Sequence, residues 1–249
     1  MQLMVSVINF EEALVAANAG ANILDVKNPS EGSLGAQFPG VIKQVTNSIG
    51  RVVKVSAAIG DLPNLPGTAS LAALGAATCG IDYLKVGLFG RYDKAEAIFL
   101  LQEVRRSLCD FPAVAIIAAG YADAERAGTL NPIWLPSIAA SAGISGCMLD
   151  TAIKDGHNLF DFIEPGVLRN LALESHANGL LFGLAGALRE QDLPVVRRLG
   201  ADVAGVRTAV CRDRQRTSPL DPEQTRRLCR INAQTLDDVP QADYSIHPV

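Results

Sequence analysis

The stretch NAGANILDVK, Asn18–Lys27, ends a helical pattern with Ala-Gly and then begins a short apolar run. A glycine after the last helical turn, followed by a buried strand, is typical of a helix-to-strand connection. The same pattern recurs in TCGIDY, SAGISG, ANGLLF and RLGADV. These repeated connections predict a chain in which helices and strands alternate.

Eight apolar runs fit this alternation as strands, and a helical pattern follows each of them. The strands are expected at Leu3–Ile8, Ile23–Lys27, Val52–Ile59, Tyr83–Phe89, Val114–Ala119, Gly146–Asp150, Leu180–Ala185 and Asp202–Arg207. The helices are expected at Asn9–Asn18, Pro39–Asn47, Thr68–Thr78, Asp93–Leu108, Leu130–Ala142, Gly166–Asn178, Asp192–Leu199 and Asp221–Arg230.

Eight strand–helix units in 249 residues predict an α/β fold with a single (β/α)8 TIM barrel. A doubly wound open sheet is the competing fold, but it would have fewer strands and a GxGxxG motif after the first one, which is absent. We expect the barrel to occupy residues 1–230. The polar segment 231–249 lacks periodicity and is predicted to be a C-terminal tail outside the barrel.

The composition indicates a folded protein of the cytoplasm. The chain is 49% apolar and 19% charged, which allows a sizeable core, and its net charge of −4 argues against nucleic acid or an anionic membrane as its main partner. Its five cysteines form no CxxC pair, so a zinc site, a disulfide framework and an oxidising compartment are not expected. The start MQLMVSVINFEEA reads as a first strand and not as a signal peptide, and no apolar run approaches the roughly 20 residues of a membrane helix.

Charged residues stand where the strands of a barrel end, which is where TIM barrels place their catalytic groups. Asp25 and Lys27 are two residues apart and therefore point to one face of the second strand. Lys85 lies in the fourth strand, Asp150 ends the sixth, and Lys154 follows in the next loop. Three of the chain's six lysines are thus expected at one end of the barrel.

Such a cluster suits a lysine that forms a Schiff base. Burial and neighbouring cations lower the pKa of an amine, which makes it nucleophilic, and an adjacent carboxylate can move protons. Lys27 beside Asp25, with Lys85 close by, fits this chemistry. The alternatives are a buried Asp25–Lys27 ion pair that only closes the barrel, a core Lys85 whose ammonium reaches outward, and a solvated Lys154.

The loops after the seventh and eighth strands are predicted to bind phosphate, as they do in many barrels. Gly186 allows close approach of the backbone, the amides near Ala187 would face an anion, and Arg207 could add a charged donor. The charge run RDRQR, Arg212–Arg216, reads as a solvated loop that could cover this side. The three histidines show no metal-ligand spacing.

Four long motifs closely resemble the (5-formylfuran-3-yl)methyl phosphate synthases, a family also called 4-(hydroxymethyl)-2-furancarboxaldehyde-phosphate synthases. They are DVKNPSEGSLGA, GDLPNLPGTASLAALGAATCGIDYLKVGLFG, AAGYADAERAG and MLDTAIKDGHNLFDF. The resemblance runs from the first strand to about Arg230 and leaves the polar tail uncovered.

The resemblance implies a TIM-barrel lyase that condenses two molecules of glyceraldehyde 3-phosphate into a furan, with loss of water and one phosphate, for biosynthesis of methanofuran or an analogue. It implies that Lys27 forms the Schiff base, that Lys85 accepts protons, and that Asp25, Asp150 and Lys154 support acid–base chemistry. No metal or organic cofactor is expected, because the imine is the electron sink. The expected partner is a triose phosphate, with a homo-oligomer possible through apolar helices such as ASLAALGAAT.

Two other classes of function stay open on the sequence. A class I aldolase or sugar-phosphate isomerase would use the same lysine but release no inorganic phosphate. A non-catalytic phosphosugar sensor would need the charged cluster only for binding. The sequence does not decide whether the host is an archaeon or a methylotrophic bacterium.

Overall fold

The computed structural model describes residues 1–90 and 93–234, in which eight parallel strands form a closed barrel. The strands are β1 Gln2–Val7, β2 Ile23–Val26, β3 Lys54–Leu62, β4 Tyr83–Leu88, β5 Ala115–Tyr121, β6 Gly146–Asp150, β7 Leu181–Leu184 and β8 Val203–Val206. Each strand pairs with the next, and β8 pairs with β1 in parallel. The predicted (β/α)8 TIM barrel is confirmed.

Helices surround this barrel in the order that the sequence predicts. They are α1 Phe10–Ala19, α2 Pro39–Ile49, α3 Pro66–Ala77, α4 Lys94–Ser107, α5 Ala124–Ala127, α6 Leu135–Ala142, α7 Pro165–Ala177, α8 Leu193–Arg198 and α9 Pro222–Ala233. The short helix α5 was not expected. The helix expected at Leu130–Ala142 is divided, because the Asn131 side chain caps a separate 3-10 turn at Pro132–Trp134 before α6 begins.

The repeated glycine connections have the predicted left-handed backbone. The five glycines of these repeats have φ values from 67° to 96°: Gly20, Gly80, Gly143, Gly179 and Gly200. At the end of α1, the Gly20 amide donates to the carbonyls of Ala16 and Ala17 and so satisfies the last turn. Only three residues then separate this helix from the next strand.

The inward face of the barrel changes from apolar to charged along the strands. Toward the N-terminal end the interior is filled by apolar side chains such as Met4, Ile23, Ile117 and Met148. One layer further on, the strand register aligns Ser6, Asp25 and Ser56 across β1, β2 and β3. The outward residues, such as Leu24 and Val26, pack into the layer beneath the helices. This arrangement directs the charged groups toward the C-terminal end of the barrel.

Lys54, which begins β3, lies outside this interior. Its ammonium is 2.5 Å from the Asp82 carboxylate, and its side chain is mostly exposed. It therefore takes no part in the cluster formed by the other strand lysines.

The last helix reaches into the segment that we predicted to be a tail. Helix α9 continues to Ala233, and the buried Asn232 donates to the Met1 carbonyl at 3.2 Å. The remainder of the predicted tail, from residue 235, lies outside the described residues. Within the described part of the chain, none of the helices has the length and apolar character needed to span a membrane.

A buried ion pair fastens α1 to the end of β8. The Glu12 carboxylate, in the first turn of α1, accepts from both terminal nitrogens of Arg207, which follows β8 directly. Arg207 also donates to the Ser6 carbonyl of β1 at 3.1 Å. The pair therefore connects the first and last strands of the barrel with the first helix.

Replacing Glu12 with Ala is expected to lower the free energy of unfolding by about 3–5 kcal/mol, because the Arg207 charge is left buried without its carboxylate. Urea denaturation measures this change. Glu11→Ala, at the exposed neighbouring position, is the matched control and should cost less than about 0.5 kcal/mol. A loss for Glu12→Ala as small as that of the control would contradict this role.

Candidate active site

The carboxylate of Asp25 is the centre of a buried charged cluster. Lys85, from β4, donates to Asp25 Oδ2 at 2.7 Å, and Ser6 Oγ donates to the same oxygen at 3.0 Å. Lys27 Nζ lies 4.0 Å from this oxygen, too far for a hydrogen bond. Asp25 therefore pairs with a lysine from another strand more closely than with its neighbour in sequence, which leaves the Lys27 amine less constrained.

The Lys27 amine is held by the loop after β2. Lys27 Nζ donates to the Ser33 carbonyl at 3.0 Å, and Ser33 Oγ donates to the Thr151 carbonyl at 2.8 Å. The Leu34 amide donates to the Asp61 carboxylate, which also accepts from the Tyr121 hydroxyl. These bonds fold the loop over the end of β2 and bury Lys27 to 5% exposure.

Asp150 and Lys154 form a second charged pair beside the first. Lys154 Nζ lies 2.6 Å from Asp150 Oδ1 and donates to Thr151 Oγ1 at 3.0 Å. The loop between them is fixed by the buried Asp123 carboxylate, which accepts from the amides of Ala152 at 2.7 Å and Ile153 at 2.8 Å. The structure thus brings together all five residues predicted to be catalytic.

The electrostatic environment favours a neutral amine on Lys27. Burial lowers the pKa of Lys27 most, and the charges of Lys85 and Lys154 lower it further. Asp150 and Asp25 oppose this effect, and the balance brings the pKa from 10.5 to about 8. An appreciable fraction of Lys27 is therefore neutral near neutral pH.

The two carboxylates remain ionised despite their burial. Burial raises the pKa of Asp25, but the charges of Lys85 and Lys27 and the hydrogen bonds from Lys85 and Ser6 outweigh it, so the pKa lies below its usual value. Burial likewise raises the pKa of Asp150, and Lys154 and Lys27 more than offset it. The cluster therefore holds two carboxylates that can accept protons.

The loop after β7 presents unused backbone amides. Gly186 and Ala187 have φ values of 104° and 50°, a left-handed run that turns successive amides toward one side. In the part of the chain that the structure describes, the amides of Gly186, Ala187 and Leu188 donate to no acceptor. A Cβ at position 186 would come within 3.0 Å of the Thr151 side chain, so the close packing here requires glycine. We call residues 186–188 the amide loop.

Arg207 borders the site, but its guanidinium is fully engaged by the protein. Its five N–H groups donate to Glu12, to the Ser6 carbonyl, and to the carbonyls of Arg216 at 2.9 Å and Ser218 at 2.9 Å. From its position at the end of a strand, Arg207 is predicted to contact phosphate. In the structure it instead holds the backbone of the loop after β8.

Arg216 belongs to the run RDRQR, which is predicted to be a solvated loop that could cover this side, and its side chain lies at the site. Its guanidinium is half-buried and donates to the Gly32 carbonyl at 3.1 Å. Burial lowers the pKa of Arg216, and the nearby Asp150 carboxylate opposes the change. The side chain therefore reaches from the loop after β8 across to the loop after β2.

Two adjoining cavities occupy the C-terminal end of the barrel. The inner cavity, about 30 Å³, is lined by Asp25, Lys27, Lys85 and Asp150. The outer cavity, about 920 Å³, lies against the amide loop, the loop after β8 and helix α9. Both cavities are bordered by Lys154, Ala187, Thr208 and Arg216. We call this shared border of the two cavities the passage.

Nowhere in residues 1–90 and 93–234 do three or more His, Cys, Asp or Glu side chains come close enough together to hold a metal ion. The free cysteines Cys79, Cys147, Cys211 and Cys229 are buried and Cys109 is exposed.

Solved structures with this fold include enzymes of diverse names. The chain superimposes on a phosphoribosyl anthranilate isomerase from Thermus thermophilus with a TM-score of 0.62 and 17% identity, covering 94% of this chain and 98% of that one. A 3-hexulose-6-phosphate synthase gives a TM-score of 0.57 at 18% identity, covering 92% and 99%. At this identity the likeness establishes the fold alone.

Similarity in sequence to named relatives identifies the family of this chain. A (5-formylfuran-3-yl)methyl phosphate synthase of Methanosarcina acetivorans is 46% identical over 219 residues, 88% of this chain and 94% of the relative. The protein of that name from Methanocaldococcus jannaschii is 46% identical over 230 residues, 92% and 98% of the two chains. The family model described as 4-HFC-P synthase matches residues 3–229. With the whole barrel covered by that match, the chain belongs to the 4-HFC-P synthase family.

Proposed function

We propose that the protein condenses two molecules of glyceraldehyde 3-phosphate into (5-formylfuran-3-yl)methyl phosphate through a Schiff base on Lys27. The observation that carries this proposal is the buried Lys27 amine, with a pKa of about 8, between the carboxylates of Asp25 and Asp150. The names of the relatives support the product. The activity that the family resemblance implies supports glyceraldehyde 3-phosphate as the substrate.

The first step is attack of neutral Lys27 on the aldehyde carbon of one triose, which gives a carbinolamine. Loss of its hydroxyl as water requires a proton donor, and Lys154, hydrogen-bonded to Asp150 at 2.6 Å, supplies one at the passage between the cavities. Asp150 accepts the proton that the amine loses. The product of this step is an imine on Lys27.

The second step is removal of a proton from the carbon next to the imine, which becomes an enamine. Among the described residues, Asp25 Oδ1 is buried without a hydrogen-bond partner, so a lone pair is available to accept this proton. Lys85, at 2.7 Å from Oδ2, exchanges protons with the same carboxylate. The proton acceptor is therefore Asp25 itself or, as the family resemblance implies, Lys85 once its own proton has passed to this carboxylate.

The remaining steps join and aromatise the carbon skeleton. The enamine expels orthophosphate from the third carbon of this triose, which leaves an enol held on Lys27 as the imine. The terminal carbon of the enol attacks the carbonyl of the second triose in its ketone form, and loss of two water molecules closes and aromatises the ring. Hydrolysis of the imine frees the formyl group and returns the Lys27 amine. The imine takes up the electron pair when the proton leaves, the enamine returns it when phosphate is expelled, and the phosphate of the second triose stays on the product.

The amide loop supports this scheme because its amides donate to no acceptor among the described residues, and because Ala187 and Arg216 line both cavities. We propose that the amides of Gly186 and Ala187 bind the phosphate of the triose on Lys27. Arg207 contributes by fixing the backbone of Arg216. The reaction is formally that of a carbon–oxygen lyase acting on phosphates, and we place it in the cytoplasm, in the synthesis of methanofuran or an analogue.

A class I aldolase acting on a sugar phosphate is the second candidate, since the Lys27 site would serve its first steps equally well. With glyceraldehyde 3-phosphate as substrate, we expect the protein to release one orthophosphate for each furan chromophore formed. Lys27→Met should abolish both products, whereas Lys43→Met, at an exposed position on α2, should leave both at the wild-type rate. The assay combines a phosphate-release measurement with furan absorbance.

An aldol or isomer without orthophosphate would replace this proposal with the aldolase. Binding of the triose phosphate without any turnover would leave a phosphosugar sensor.

The pH dependence of imine formation tests the electrostatics of Lys27. In single-turnover experiments we expect the rate to rise with pH and level off above about 8, because only the neutral amine attacks. Asp150→Asn removes a charge that raises the pKa of Lys27, so the inflection should move to lower pH. Lys154→Met removes a charge that lowers it, so the inflection should move to higher pH. Shifts of both variants in the same direction, or a wild-type inflection near 10.5, would refute this account.

A further inference from the structure

We infer that Arg216 and the outer cavity form a second anion site, which binds the phosphate of the second triose and is separate from the amide loop. This inference rests on the proposed condensation and adds to it the residue that binds the second substrate.

The first observation is the size of the two cavities. The inner cavity, at about 30 Å³, has room for little more than a water molecule, so the phosphate groups of two trioses must lie further out.

The outer cavity has the charge that this role requires. Four arginines line it, together with Lys154: Arg189, Arg214, Arg216 and Arg227. The one carboxylate in this lining, Glu190, lies 2.8 Å from Arg227 and so neutralises only that side chain. The whole chain has a net charge of −4, so this positive surface is a local feature and not the average of the protein.

Most N–H groups of the Arg216 guanidinium have no acceptor among the described residues. Within residues 1–90 and 93–234, its single side-chain hydrogen bond goes to the Gly32 carbonyl, and no carboxylate lies within 4.0 Å of its guanidinium. A half-buried guanidinium with most of its N–H groups unused is well suited to bind a phosphate in the bidentate manner. It also borders the passage, so a phosphate bound there leaves the triose carbon chain directed toward the inner cavity.

Hydrogen bonds and a β-bridge fix the loop that carries Arg216. The Arg212 amide donates to the Pro219 carbonyl at 3.0 Å, and a β-bridge between Cys211 and Leu220 closes the loop at its base. Arg207, anchored by Glu12, holds the Arg216 carbonyl from inside. These bonds set the position of the guanidinium before substrate arrives, which lowers the entropic cost of binding.

Two separate anion sites also follow from electrostatics. Each triose carries a phosphate with a charge of roughly −1.5 to −2 near neutral pH, and the condensation must bring two of them into one active site. The unused amides of residues 186–188 can accept one phosphate. A cationic side chain on the neighbouring loop, after β8, can bind the other and offset the repulsion between them.

The test is a crystal structure of the full chain soaked in inorganic phosphate, for the wild type and for Arg216→Met. We expect two phosphate ions in the wild type, one on the amides of residues 186–188 and one on Arg216, and only the first in the variant. A single phosphate that touches both groups, an adventitious ion only, or no phosphate at Arg216 would overturn the inference.

Kinetics with glyceraldehyde 3-phosphate gives an independent readout. Arg216→Met should raise the KM for furan formation roughly ten- to a hundredfold, the effect of losing a charged hydrogen bond, with a much smaller loss of imine trapping on Lys27. Arg216→Lys should recover part of the loss. Arg212→Met, in the same loop but outside both cavities, is the matched control and should keep the wild-type KM.

An equal loss of imine trapping and furan formation in Arg216→Met would mean that the residue serves the first triose, and the inference would fail. A wild-type protein that forms no furan would refute the proposed condensation instead. The phosphate-soaked crystals would still decide whether the second anion site exists.

Discussion

The hydrogen bond between Lys85 and Asp25, 2.7 Å long and buried at the centre of the barrel, is the contact on which the site depends. Taking a carboxylate and an ammonium out of water costs several kcal/mol each, and their attraction recovers this only with good geometry and further hydrogen bonds. Ser6 provides one of these bonds, and the register of β1, β2 and β3 places it there. Burial lowers the pKa of Lys27, the charge of Lys85 lowers it further, and Asp25 opposes this only in part, so the pKa is about 8.

The loops at this end of the barrel form one connected support for these charges. Ser33 joins the loop after β2 to the loop after β6, and Asp61 ties the first of these to β3 and β5 through Leu34 and Tyr121. Asp123 fixes the loop that carries Lys154. The buried Glu12–Arg207 pair does the same for the loop after β8. The charged groups of the candidate site are therefore held in place by contacts between several strands and loops, which favours a fixed geometry for proton transfer.

The fold could be predicted because its signals are local. Strand periodicity and the glycine connections lie within a few residues of one another, and residues 25 and 27 share a face by the geometry of any strand. The same local signals identified the charged residues at the ends of the strands. The catalytic roles of Asp25, Lys27, Lys85, Asp150 and Lys154 remain predictions.

The supporting contacts could not be predicted, because they join residues far apart in the chain. Glu12 and Arg207 are 195 positions apart, and Tyr121 and Asp61 are 60 apart. Without knowledge of Glu12, a lone arginine at a strand end suggests an anion ligand, and a run such as RDRQR suggests a solvated loop. In the barrel, Arg207 has Glu12 as its partner, and Arg216 folds toward Gly32, so the loop covers this side, as the sequence had left open.

The central claim is that Lys27 forms a covalent imine with the substrate. The most direct measurement is borohydride reduction in the presence of glyceraldehyde 3-phosphate, followed by mass analysis of the proteolytic peptides. The account predicts a reduced triose adduct on the peptide that contains Lys27, and its absence in Lys27→Met. An adduct on Lys85 or Lys154 in the wild type, or no adduct on any lysine during turnover, would contradict it.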